Sequence, residues 1–215
     1  MTAIISGVAA PLPFSNLDTD QIMPKQFLRI IDKAGLDRGL LHDLRFDGNG
    51  APKADFVLNQ PAYAGASIVV AGPNFGCGSS REHAVWGLQQ FGIRAVIAPS
   101  FGEIFYFNAV NNGLLLISLA PAEIDALLAR VSVAASNRVQ IDVAAGRVTA
   151  ADGWTADFTL PERHRRMYVQ GQDMVGASLQ QLDEVERFEA RHWARHPWMK
   201  DLARRVRDRL DREAV

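Results

Sequence analysis

Ser67-Ile68-Val69-Val70-Ala71-Gly72-Pro73-Asn74-Phe75-Gly76-Cys77-Gly78-Ser79-Ser80-Arg81-Glu82-His83 decides the fold. Its opening, SIVVA, is β-branched and apolar without alternation, as a strand buried on both faces must be. Gly72–Gly78 then makes a glycine-rich loop, and His83–Phe91 reads as a helix. The same order repeats downstream. Arg94–Ala98 (RAVIA) is a second buried strand, stopped by Pro99, and Ser100–Val110 is a short helix. Asn111, Asn112 and Gly113 suit a left-handed C-cap. Leu114–Leu119 is a third buried strand. Pro121–Val131 opens on proline and carries Ile124, Leu127, Leu128 and Val131 at helical spacing. Strands alternating with helices over residues 67–131 predict βαβ units and a locally parallel sheet, an α/β fold.

Beyond this block the pattern changes. Arg138–Val143 and Arg147–Ala150 alternate around Ala144-Ala145-Gly146, a hairpin signal, and Trp154–Phe158 adds a third short segment. Residues 178–196 and 198–212 read as helices, the second with Trp198, Leu202, Val206 and Leu210 four apart. Upstream, from Met1 to about Val70, the sequence reads as irregular, with Phe56–Leu58 as a short strand.

Composition excludes several function classes. Twenty-three Lys+Arg against 24 Asp+Glu leave a net charge of −1, so there is no electrostatic footprint for nucleic acid or an anionic membrane. One cysteine excludes an internal disulfide framework and a multi-cysteine metal site. The five histidines make no HxxH or HExxH motif, so no zinc site is assembled from sequence. The opening MTAIISGVAA lacks a basic n-region, and the most apolar run, Leu114–Ala120, is far short of the roughly 20 residues of a membrane span. The expectation is a soluble cytoplasmic protein.

The loop after SIVVA carries the chemistry. It sits between a strand and a helix, where main-chain N–H groups and the helix dipole favour an anion. Ser79 and Glu82 have capping-box spacing, which makes Ser79 the expected N-cap. Arg81 adds a bidentate partner for a carboxylate or phosphate. A P-loop would need a lysine after its last glycine, and the glycines at 72, 76 and 78 do not make the dinucleotide fingerprint. A small carboxylate fits better; a tight turn with a good cap is the plainer account. A second segment, Asn16-Leu17-Asp18-Thr19-Asp20-Gln21-Ile22-Met23-Pro24-Lys25, offers two acids around a threonine. Those acids suit a base, a metal ligand or simply an Asx turn. Cys77 is either a small buried apolar residue or a reactive thiol. Arg163-His164-Arg165-Arg166 reads as a solvated helix face. The stretch Arg187–Val215, with nine Lys+Arg against five acids, reads as a helical tail.

Together, Leu17–Leu28, Asp55–Asn59, Asn74–Ala84, Ile97–Phe101, Ile104–Tyr106 and Asn111-Asn112 resemble the small subunits of 3-isopropylmalate dehydratases, in the aconitase superfamily. The phrase NFGCGSSREHA with an upstream DTDQI carries most of the specificity, and the similarity extends to about residue 189. The resemblance implies a swivelling β/β/α domain like the last domain of aconitase, here over residues 1–190. Residues 191–215 would then be a charged helical C-terminal extension. It implies a hydro-lyase active only with a large subunit, which carries a [4Fe–4S] cluster. Such a cluster takes about three or four cysteine ligands, and this chain binds no cofactor of its own. The cluster iron would act as Lewis acid for hydroxide departure.

The reaction implied is dehydration and rehydration of 2-isopropylmalate through 2-isopropylmaleate, a step of leucine biosynthesis. Carried over onto matching positions, Ser79 is the base, Arg81 binds a substrate carboxylate and Asp20 assists it. Thr19, Ser80, Arg29 and Lys25 are substrate-binding. The segment Phe27–Gly35 is expected to read the substrate's side group. Met23, Leu44 and Gln172 depart from the family pattern and leave room for a relative acting on citramalate or another substituted malate. A non-catalytic anion-binding module is the rival of a different class.

Overall fold

The computed structural model describes residues 4–28 and 34–213. These form two compact units, one ending at Asp173 and one beginning at Met174.

In the first unit, seven strands make one mixed sheet in the order β4-β3-β2-β1-β5-β6-β7. The strands are β1 (Ile4–Leu12), β2 (Ile68–Ala71), β3 (Ala95–Ala98), β4 (Leu115–Ser118), β5 (Arg138–Asp142), β6 (Arg147–Ala150) and β7 (Thr155–Asp157). Among them run α1 (Thr19–Ile22), α2 (His42–Arg45), α3 (His83–Phe91), α4 (Glu103–Asn112) and α5 (Pro121–Val131), with α6 (Glu162–Gln170) after the last strand. β1 to β4 are mutually parallel, as the alternating pattern predicts, and β5 to β7 are antiparallel.

The apolar runs are unbroken because both sheet faces are covered. Val69, Ala71, Val96, Ala98 and Leu116 face the core under α3 and α4, where Ala84, Val85, Leu88, Phe105 and Ala109 are buried. Their neighbours Ile68, Val70, Ile97, Leu115 and Ile117 face Ile124, Leu127 and Val131 of α5. One residue's shift in register would exchange two full cores.

The largest departure from expectation is β1, which lies in a stretch read as irregular. It is the central strand of the sheet. Its sequence, IISGVAAPL, is poor in strand formers, and Pro11 argues against a central position. The pairing explains this, because β1 changes neighbours halfway. Residues 4–8 pair with β5, and residues 9–12 pair with β2. Pro11 therefore lies where β2 is the ladder partner, and its missing N–H costs no second ladder. Gly7 is required by packing, since a Cβ there would lie 1.9 Å from Ser67 Oγ.

Two smaller expectations also change. Phe56–Leu58 is not a strand: Val57–Asn59 and Pro61–Tyr63 are successive 3-10 turns. They are tied to α2 by Arg45, whose Nε donates to Asn59 Oδ1 (3.3 Å) while its guanidinium lies over the Phe46 and Phe91 rings. Burial lowers the Arg45 pKa. The run Arg163–Arg166 is on a helix, α6, as read, but His164 is partly buried and meets Tyr106 Oη through Nδ1 at 3.1 Å.

The second unit contains α7 (Met174–Leu179), α8 (Leu182–Arg195), a 3-10 turn at Pro197–Met199, and α9 (Leu202–Glu213). The expected boundary at 190/191 falls inside α8. Phe188 and His192 stack one turn apart, and the side chains of Leu202, Val206 and Leu210 are exposed. Among the described residues no helix is long and apolar enough to cross a membrane.

Candidate active site beyond the ends of the parallel strands

The glycine-rich loop lies past the C-terminal end of β2, where parallel α/β sheets place their binding sites. It is stitched to the loops that follow the neighbouring strands. Toward the loop after β1, Asn16 N donates to Pro73 O (2.9 Å), Gly76 N to Leu17 O (2.7 Å) and Thr19 N to Cys77 O (2.9 Å). Toward the loop after β3, Phe75 N donates to Ser100 O (3.1 Å) and Gly102 N to Phe75 O (2.9 Å). Single parallel bridges at Asp18–Cys77 and Phe75–Phe101 continue the sheet order into the loops.

Gly76 and Gly78 flank Cys77 at φ +73° and +92°, conformations that disfavour a side chain. Gly76 is constrained further, because a Cβ there would lie 2.3 Å from the Phe105 ring. The loop therefore lies directly on the aromatic core formed by Phe75, Phe101 and Phe105.

Ser79 does not cap the helix. α3 begins at His83, its N-cap is Glu82, and no side chain caps it. The capping box belongs instead to α1, where Asp18 Oδ1 accepts from Gln21 N (2.7 Å) and Gln21 Oε1 accepts from Asp18 N (3.1 Å). The D-x-x-Q spacing carried that signal in the sequence. Ser79, Ser80 and Arg81 thus form a short irregular strip ahead of α3, with both serines exposed and Arg81 partly buried.

α1 holds this strip from one side. Thr19 is buried (1% exposed), and its hydroxyl donates to the Ser79 carbonyl at 2.9 Å. Asp20 forms an ion pair with Arg81 Nη1. Of the residues expected at the site, the fold therefore brings together Thr19, Asp20, Ser79, Ser80 and Arg81. Thr19 spends its hydroxyl on the strip's main chain. Lys25 is exposed on the 3-10 turn Lys25–Phe27, apart from these contacts. Arg29 lies outside the described residues.

α4 holds the strip from the other side through Asn108, read only as part of a helix, and Asn112, read as a helix end and as part of the family resemblance. Asn108 Nδ2 donates to the Ser80 carbonyl at 3.4 Å. Asn112 Nδ2 donates to Glu82 Oε1 (2.5 Å), and Asn112 Oδ1 accepts from Trp86 Nε1 (3.0 Å). Gly113 takes the left-handed C-cap position by itself. Their partners Ser80, Glu82 and Trp86 lie more than twenty residues away in the chain, so local spacing does not show them. Among the described residues no three His, Cys, Asp or Glu side chains are grouped to hold a metal ion.

A family model of the aconitase C-terminal domain matches residues 2–122, more than half of the chain. The 3-isopropylmalate dehydratase small subunit 1 of Chromobacterium violaceum is 61% identical over 206 residues, covering 96% of this chain and 97% of its own. The 3-isopropylmalate dehydratase small subunit 2 of Salmonella typhimurium is 44% identical, covering 91% and 94%. The crystal structure of 3-isopropylmalate dehydratase (LeuD) from Methanocaldococcus jannaschii superposes with a TM-score of 0.62 at 30% identity, covering 86% of this chain and 99% of that one. On these matches, with the shared loop and fold, the chain belongs to the family of 3-isopropylmalate dehydratase small subunits, built on the aconitase C-terminal domain.

Proposed function

We propose that this chain is the substrate-recognising small subunit of a cytoplasmic 3-isopropylmalate dehydratase, a hydro-lyase of leucine biosynthesis that turns over only with its large subunit. The observation that carries the reading is the convergence of two distant segments. The Thr19–Ser79 hydrogen bond and the Asp20–Arg81 ion pair bring Thr19-Asp20 and Ser79-Ser80-Arg81 to one place. A hydroxyl, a guanidinium and a carboxylate within one strip suit proton transfer beside a bound carboxylate.

The chain's single cysteine does not fit a [4Fe–4S] cluster, which the resemblance assigns to the large subunit. No step below runs through it. Dehydration of 2-isopropylmalate removes a proton from the methylene next to one carboxylate and hydroxide from the neighbouring carbon. Rehydration returns both to exchanged carbons, so one water leaves, one returns, and nothing is oxidised or reduced.

In this scheme Ser79 Oγ, as alkoxide, takes the proton and later gives it back. Arg81 holds the carboxylate beside that carbon and stabilises the anionic charge that builds on it. Asp20 sets the Arg81 guanidinium, and Ser80 offers a hydroxyl to a substrate oxygen. Lys25, on the turn after α1, is the candidate partner of the second carboxylate. An alkoxide is not sustained in open water near neutral pH, and Ser79 is exposed in the chain alone. Desolvation by itself disfavours the alkoxide, so covering by the large subunit helps by strengthening the pull of the Arg81 guanidinium on it in a water-excluded site, which is why the subunit is inactive by itself.

The test is Ser79→Ala in the assembled complex, assayed anaerobically by alkene absorbance with 2-isopropylmalate. Thr19 bonds the carbonyl of Ser79, so this change deletes the hydroxyl and leaves the strip's anchor in place. Turnover is expected to fall about a thousandfold with assembly intact; unchanged turnover overturns the base assignment. The same assay with citramalate checks the substrate, and faster turnover of citramalate overturns the isopropyl reading.

A further inference from the structure

We propose that Asn112, at the C-terminal end of α4, is a positioning residue for the proton-transfer strip and acts through Glu82. The inference rests on the reading of Ser79 and Arg81 given above. Glu82 follows the strip directly and is the N-cap of α3, yet its side chain does not cap the helix. Its carboxylate turns away to Asn112 Nδ2.

The Asn112 amide uses both its donors and its acceptor oxygen. Nδ2 donates to Glu82 Oε1 and to Asn108 O (2.8 Å), while Oδ1 accepts from the Trp86 indole N–H (3.0 Å). Its own carbonyl accepts from Gln89 Nε2 at 2.7 Å. Two donors and one acceptor at the end of a short side chain are available from asparagine and from no other residue of that length. An aspartate would place a second carboxylate against Glu82, and a leucine would leave the indole N–H and Glu82 without their partner. The same helix turn carries Asn108, which reaches the Ser80 carbonyl (3.4 Å).

The consequence is geometric. The carbonyls of Ser79 and Ser80 and the carboxylate of Glu82 are each held by a side chain from outside the loop. The hydroxyls of Ser79 and Ser80 are left for the substrate, and Arg81 is held by Asp20. A general base displaced by about 1 Å from its proton loses on the order of a hundredfold in rate. Releasing Glu82 would allow a displacement of that kind without unfolding the sheet.

Polarity reversal at the contact tests the inference in the assembled complex. Asn112→Asp is expected to lower kcat about thirtyfold or more by setting two carboxylates together, with KM changed less than about threefold. Adding Glu82→Gln restores a donor opposite the new acceptor and is expected to recover about tenfold of the loss. Thermal melting and assembly are measured on every variant. Wild-type kcat in Asn112→Asp, or a kcat loss that follows lost assembly and is not recovered by Glu82→Gln, overturns the positioning role. Ser79→Ala is run in parallel: an active Ser79→Ala overturns the base assignment. An inactive Ser79→Ala beside a fully active Asn112→Asp overturns the positioning role alone.

Discussion

The Ser79-Ser80-Arg81 strip is held by α1 on one side and α4 on the other, and the two supports use different physics. α1 has four residues, kept helical by its own Asp18–Gln21 capping box. It grips the strip through one buried hydroxyl and one ion pair whose Asp20 side chain is 56% exposed. α4 has ten residues and lays Phe105 under Gly76. It grips through amides, one of which uses both its donors and accepts at its oxygen. A partly buried amide bonded in this way restricts the geometry, because a displacement breaks several hydrogen bonds at once. An exposed ion pair is screened and easily repartnered. The α4 side therefore works as a fixed wall, and on the proposed reading the α1 side is where a substrate carboxylate would compete with Asp20 for Arg81.

The wall is the stronger element, and the sharpest way to break it is at its contact with the loop. Gly76→Ala combines a left-handed φ with a Cβ inside the Phe105 ring. A stability loss of about 3 kcal/mol or more is expected in urea denaturation. A loss under about 1 kcal/mol would mean that the loop slides over α4 and the wall is soft.

The buried half of the α1 support comes next. Thr19→Val keeps the shape and deletes the donor to the Ser79 carbonyl, so stability should fall by about 1–2 kcal/mol. Turnover should fall as well, whereas Thr19→Ser should retain both. Retention of both by Thr19→Val and their loss in Thr19→Ser would show that the methyl group, and not the hydroxyl, is what matters. The smallest effect belongs to the exposed pair. Asp20→Asn in the chain alone should change stability by less than about 1 kcal/mol, with the difference shrinking as salt is added. A larger, salt-independent loss would place the ion pair on the same footing as the α4 contacts and erase the contrast.

Much of this was legible before the fold was known. The βαβ block needed only apolar runs and helical spacing, because strands buried on both faces leave no alternation to misread. The polar groups that the fold brings together were legible too, since Asp20, Ser79, Ser80 and Arg81 sit in motifs dense with glycine and polar side chains. Local spacing misled where two interpretations shared it. Ser79 and Glu82 have capping-box spacing, but the box forms at Asp18 and Gln21, and Glu82 is drawn off to Asn112. Asn112 itself looked like a helix stop, and α4 does end there, yet it is Gly113 that takes the left-handed turn.

The central strand shows the same limit on a larger scale. Small and irregular residues in β1 reflect a neighbour change at Val8/Ala9 and the crowding of Gly7 against Ser67, conditions set by chain segments some sixty and more residues away. By itself the sequence determined the alternating α/β block, the identity of the polar groups at the site and the family to which they belong, because each is encoded over a short span. Only the tertiary structure decided which carbonyl Thr19 holds, which carboxylate Asn112 holds and how β1 joins the parallel strands to the antiparallel ones. Those outcomes depend on pairing between distant segments, where a hydrogen bond's partner is chosen by packing and not by spacing along the chain.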